Sequence, residues 1–93
     1  MRVIGKIELE AYCEKHSDVR SQISSWLAYA DDAKWQNHNE LKAVYPSASL
    51  VNGRVVFNLK GGNYRLVVRV DYKRQVIRIE KIGTHKEYDR WKL

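Results

Sequence analysis

Val55-Val56-Phe57-Asn58-Leu59-Lys60-Gly61-Gly62-Asn63-Tyr64-Arg65-Leu66-Val67-Val68-Arg69-Val70-Asp71-Tyr72-Lys73-Arg74-Gln75-Val76-Ile77-Arg78-Ile79-Glu80-Lys81-Ile82 is the stretch that decides the fold. Residues 55–60, 64–72 and 76–82 are three strand-like runs, rich in β-branched and aromatic side chains. Gly61-Gly62-Asn63 suits a hairpin connection, and Asp71-Tyr72-Lys73-Arg74-Gln75 suits a second. Together they predict an antiparallel meander. Side chains alternate between the two faces of a strand. In the middle run Leu66, Val68 and Val70 therefore oppose Arg65, Val67 and Arg69; in the preceding run Phe57 and Leu59 oppose Asn58 and Lys60. In the last run Arg78 and Glu80 separate Ile77, Ile79 and Lys81. With helices over the apolar face, Asn58, Lys60, Arg65, Arg69 and Arg78 gather on the open one.

Upstream, the period is helical. Residues 2–5 suit a short first strand and residues 7–16 a helix. Ser17 is placed to cap a second helix carrying Val19, Ile23, Trp26, Leu27 and Ala30, an apolar stripe suited to covering a sheet. Asn39 is placed to cap a short turn over 41–45, which must end near Tyr45 because Pro46 disfavours helical geometry just before it. The order predicts an α+β fold in one domain, residues 1–93: a small antiparallel sheet, N-terminal helices on one face and a short C-terminal helix.

Composition narrows the class. Hydrophobic residues are 44% of the chain and charged residues 30%, which excludes the sparse-core pattern of disorder. A single cysteine, Cys13, forms no intramolecular disulfide and matches no zinc spacing, so it reads as a small core residue in a reducing, cytoplasmic setting. No apolar run is long enough for a signal peptide core or a membrane span. The net charge of +6 is unevenly spread. Residues 1–53 carry 6 Lys/Arg against 7 Asp/Glu, and residues 54–93 carry 11 against 4. A basic C-terminal half favours a polyanionic partner, since each neutralised phosphate releases counterions. A merely solubilising surface has the same signature.

Chemistry concentrates in Gly83-Thr84-His85-Lys86-Glu87-Tyr88-Asp89. Thr84 followed by Glu87 is a capping box, so a short helix starts there. His85 and Lys86 then lie at its positive end, an unfavourable place for cations unless an anion is held there. RNA cleavage without a metal needs a base for the 2′-hydroxyl, donors for the phosphate and an acid for the leaving oxygen. His85, Lys86, Tyr88, Arg65 and Arg69 match that inventory, with Tyr88 as proton donor, stacking platform or simply a half-buried ring. No metal site is expected: His85, Glu87 and Asp89 alternate and so scatter around a helix. His16 and His38 fall in the acidic half and read as surface residues.

Three motifs in order carry a resemblance: Leu41-Lys42-Ala43-Val44-Tyr45-Pro46-Ser47-Ala48, Phe57-Asn58-Leu59-Lys60-Gly61-Gly62-Asn63-Tyr64-Arg65-Leu66, and Gly83-Thr84-His85-Lys86-Glu87-Tyr88-Asp89. The chain resembles the HigB-type toxins of type II toxin–antitoxin systems, within the RelE-like mRNA interferase superfamily. The resemblance implies a RelE-like fold, endonucleolytic cleavage of mRNA on translating ribosomes, no cofactor, and a HigA-like antitoxin as partner. The family's basic and polar positions fall on Asn58, Lys60, Arg65, His85, Lys86 and Tyr88; Arg69, Arg78 and Lys81 join the RNA contacts from face pattern and charge. A basic RNA-binding module that never cleaves is the rival reading, and a basic face for an acidic peptide the next.

Overall fold

The computed structural model describes residues 1–93. The alternating half forms the antiparallel meander: β3 (Arg54–Leu59), β4 (Tyr64–Asp71) and β5 (Val76–Thr84) pair in succession. Two short strands extend it. β2 (Ser49–Val51), absent from the sequence expectation, pairs antiparallel with β3, and β1 (Arg2–Ile4) pairs parallel with β5. The five-stranded sheet is thus mixed, in the order β1-β5-β4-β3-β2. β1 falls where a strand is expected over residues 2–5, whereas the three residues of β2 carry too little alternation to mark it.

The helices are α1 (Lys6–Lys15), α2 (Arg20–Asp32), α3 (His38–Val44) and α4 (His85–Tyr88). Two predicted caps are corrected. Ser17 does not cap α2; it opens a separate 3-10 turn, Ser17–Val19, and α2 follows without a side-chain cap. The cap of α3 is Asn37, not Asn39: its side chain accepts from the Glu40 amide at 3.0 Å. The cap two residues earlier lets the helix place Leu41 in the core. No helix is long and apolar enough to cross a membrane.

Leu9 and Cys13 of α1, Ile23, Trp26 and Ala30 of α2, and Leu41 of α3 pack on Phe57, Leu59, Leu66, Val68 and Ile77 of the sheet. Burial raises the Cys13 thiol pKa, as suits a packed core residue. Phe57 meets Trp26 and Tyr45 edge-on, with centroids at 5.4 and 5.2 Å. Such a ring is worth about 3–5 kcal/mol against alanine.

The opposite face is not bare. Val56 and Val67 are cross-strand partners buried outside this core. Beside them Trp91 lies on Gly83, where an added Cβ would come within 2.8 Å of the indole, and the Asn52 side chain donates to the Leu93 carbonyl. Register also shifts here: Val67 pairs with Lys81, but Val68 pairs with Ile79, leaving Glu80 unopposed. This bulge turns Lys81 out of the phase of Ile77 and Ile79 and onto the open face beside Val67.

Candidate functional site

At the end of the sheet where β3 turns into β4 and β5 runs into α4, Arg65 and His85 come together. Arg65 Nη2 lies 3.1 Å from His85 Nδ1. A guanidinium only donates, so Nδ1 is the acceptor and the ring proton sits on Nε2, 3.5 Å from Asp89 Oδ2. The other Arg65 terminal nitrogen donates to the Gly62 carbonyl. The guanidinium also lies over the Tyr88 ring at 5.5 Å from its centroid. Tyr88 in turn meets Trp91 edge-on at 6.0 Å.

Local sequence explains each placement. Arg65 projects to the open face, opposite Asn58 and Gly83 in the registers of β4. The capping box forms as predicted: the Glu87 amide donates to Thr84 Oγ1 at 3.2 Å, and the Thr84 amide to Glu87 Oε1 at 2.9 Å. That amide donation is the first cause holding the Glu87 carboxyl below its ordinary range. The His85 amide is also taken, by the Asn63 carbonyl at 2.9 Å. Two of the first-turn amides expected to meet a phosphate are therefore already occupied, and the cationic side chains remain as the principal donors.

The nine candidate residues divide. Arg65, His85 and Tyr88 form one contact group, with Lys86 exposed beside them on α4 and Asn58 opposite Arg65 on β3. Arg69, Arg78 and Lys81 share the open face without joining that group. Arg69 Nε is bound to Glu80 Oε2 at 2.6 Å, and the same carboxylate holds Arg54 at 2.7 Å. Lys81 stands over Trp91 at 5.1 Å. Arg78 is exposed, paired across the strands with Arg69. Lys60 departs from expectation: β3 ends at Leu59, Lys60 has φ 50° in the following turn, and its ammonium reaches Asp18 on the helical side at 3.3 Å.

Composition and charge missed a second group behind the first. Tyr12 of α1 and His16, which caps its C-terminal end, stack at 4.1 Å, and both rings approach Tyr64, at 6.2 and 6.0 Å. Tyr64 donates to both oxygens of Asp18, at 2.8 and 2.9 Å, the main cause of a raised tyrosine and a lowered aspartate pKa. Burial first, and then the Glu87 carboxylate, push the Tyr12 phenol up to about 12. His16 is thus half-buried rather than a free surface residue, and so is His38, whose Nδ1 is buried without a partner. The four-residue spacing of Tyr12 and His16 was the available signal.

The family model for HigB_toxin, described as the RelE-like toxic component of a toxin–antitoxin system, matches residues 19–91. Similar proteins include the mRNA interferase toxin HigB of Escherichia coli K12 and the mRNA interferases HigB of E. coli O157:H7 and Shigella flexneri. Each is 28% identical over 92 residues, covering 96% of this chain and 88% of the relative. A sheet with helices on one face, the intact Thr84–Glu87 box and a family match through both strand and C-terminal motifs agree, and the chain belongs to the HigB toxin family.

Proposed function

We propose that this protein is an endoribonuclease that cuts mRNA on the translating ribosome in the cytoplasm, without a metal, and is neutralised by a HigA-like antitoxin. The observation that carries this reading is the Arg65–His85 contact at 3.1 Å, set against Tyr88 on an exposed sheet end. In the free protein Arg65 occupies the imidazole lone pair. An arriving phosphate draws the guanidinium onto its own oxygens, where charge develops, and releases Nδ1. His85 then takes the 2′-hydroxyl proton; the 2′-oxygen bonds to phosphorus, the bond to the 5′-oxygen breaks, and Tyr88 returns a proton to the leaving oxygen. Lys86 adds positive charge at the phosphate. Asn58, Lys60, Arg69, Arg78 and Lys81 serve as RNA contacts, with Arg69 exchanging its Glu80 partner for a phosphate and Lys60 keeping its tie to Asp18. The ribosome supplies the substrate alignment that so small a surface lacks.

Mapping transcript ends after induction without antitoxin tests the activity; new ends within translated mRNA are expected. A 2′-deoxyribose at the cut position should abolish product, and efficient single-turnover cleavage of that substrate would overturn the mechanism. The occupied lone pair of His85 also favours a second reading, a basic module that holds RNA without cutting it. RNA retained with no new ends selects that one.

A further inference from the structure

The corner between α1 and α2 reaches the site from the helical side of the sheet. Asp18, in the 3-10 turn Ser17–Val19, accepts from the Tyr64 hydroxyl with both oxygens and from the Lys60 ammonium. Lys60 and Tyr64 bracket the turn between β3 and β4. Lys60, Gly61 and Gly62 all have positive φ, 50°, 65° and 94°. Two glycines take that region freely, but a lysine there is held by its surroundings. This turn supplies two main-chain acceptors of the site: the Gly62 carbonyl takes Arg65 Nη1, and the Asn63 carbonyl takes the His85 amide; the Tyr64 carbonyl just after it also takes Arg65 Nη1, at 3.4 Å.

We propose that Asp18 is a positioning residue, gripping Lys60 and Tyr64 at the two ends of this turn so that its carbonyls hold Arg65 and His85 in register. Asp18 is 46 residues from Tyr64 in the chain and touches neither Arg65 nor His85. It acts through two ties, one charged and one a neutral hydroxyl. The Tyr64 ring is backed by Tyr12 and His16, so the hydroxyl has little freedom to find another acceptor. The consequence for catalysis rests on the nuclease reading; the consequence for geometry does not.

The test therefore has two readouts, taken on the full chain. In cleavage of ribosome-bound mRNA, Asp18→Ala should lower kcat by about tenfold to a hundredfold, the scale of a misplacement near 1 Å, with KM little changed. Tyr64→Phe, which keeps the buried ring, should act in the same direction. The double variant should be no worse than Asp18→Ala, because that substitution already removes the one interaction that Tyr64→Phe removes. Lys6→Ala, which breaks an exposed ion pair to Asp31 elsewhere in the helical layer, should leave kcat unchanged. Independently, the 15N resonances of the His85 ring should report a fixed Nε2-protonated tautomer in the native protein and averaging in Asp18→Ala and Tyr64→Phe. Native kcat together with unchanged His85 resonances in Tyr64→Phe would overturn the proposal, as would an averaged ring in the native protein. If the native protein does not cleave, the nuclease reading falls, and the His85 resonances alone decide whether Asp18 positions the pair.

Discussion

Arg65 and Arg69 lie on the same strand and the same face, four residues or about 13 Å apart, yet they are held in opposite ways. Arg65 is gripped by neutral acceptors, two main-chain carbonyls and an imidazole, and keeps its charge unbalanced at the sheet end. Arg69 is tied to Glu80, which it shares with Arg54. A count of cations treats the two alike. The partners separate a guanidinium oriented for an incoming phosphate from one whose charge is already largely answered, and the open face becomes a chemical end and a guarded end.

Breaking the chemical end has the largest expected effect. His85→Gln should retain ribosome binding while slowing cleavage on the order of a hundred- to ten-thousandfold, and Arg65→Ala should also act on the chemical step. Arg69→Ala should change association and leave single-turnover cleavage of saturated complexes within about threefold. Single-turnover rates across this set decide the comparison; equal losses for Arg65→Ala and Arg69→Ala would erase it.

Opening the guarded end comes next. Glu80→Gln frees Arg54 and Arg69, so RNA binding should tighten at low salt. The slope of log affinity against log salt should steepen by about 0.7 for each guanidinium that reaches a phosphate. A titration of single-stranded RNA at several ionic strengths measures this, and an unaltered slope would show that neither arginine contacts the backbone.

The same carboxylate gives a smaller, pH-dependent effect. The Arg54 hydrogen bond first, and Arg69 after it, hold the Glu80 carboxyl below its ordinary value. A depressed folded pKa stabilises the protein above the unfolded value, and that contribution is lost as pH falls through the folded one. Denaturation midpoints should therefore drop below about pH 4 and drop less in Glu80→Gln. Asp18 and Glu87, also lowered, keep part of the acid sensitivity in that variant.

The smallest change expected is at Gly83. Gly83→Ala places a Cβ within 2.8 Å of the Trp91 indole, which must shift and so alter its contacts with Lys81 and Tyr88. Cleavage should fall modestly, and indole fluorescence should report the movement. Tyr88→Phe then separates stacking from proton donation, since it keeps the ring and removes the hydroxyl.

Much of this was legible in the chain. The period-2 runs placed β3, β4 and β5, the apolar stripe from Val19 to Ala30 placed the face of α2, and Thr84 with Glu87 placed the start of α4. These are local patterns, set by side-chain alternation and by hydrogen bonds closing over three residues. The candidate group was legible only as an inventory. Arg65, His85, Lys86 and Tyr88 could be named by type, but whether Lys60 belonged with them depended on the backbone turning at Leu59 and on the distant Asp18.

By itself, then, the sequence determined the class of fold, the basic half of the molecule and the residue types gathered at its C-terminal motif. Tertiary structure alone decided which of them meet. The bulge at Glu80 brought Lys81 to the open face, and pairing across 20 residues set Arg65 on His85. Contacts between distant segments brought Asp18 under the turn that holds both. Periodicity reports which face a side chain takes within one element; register between elements is set by packing and by hydrogen bonds that no local pattern contains.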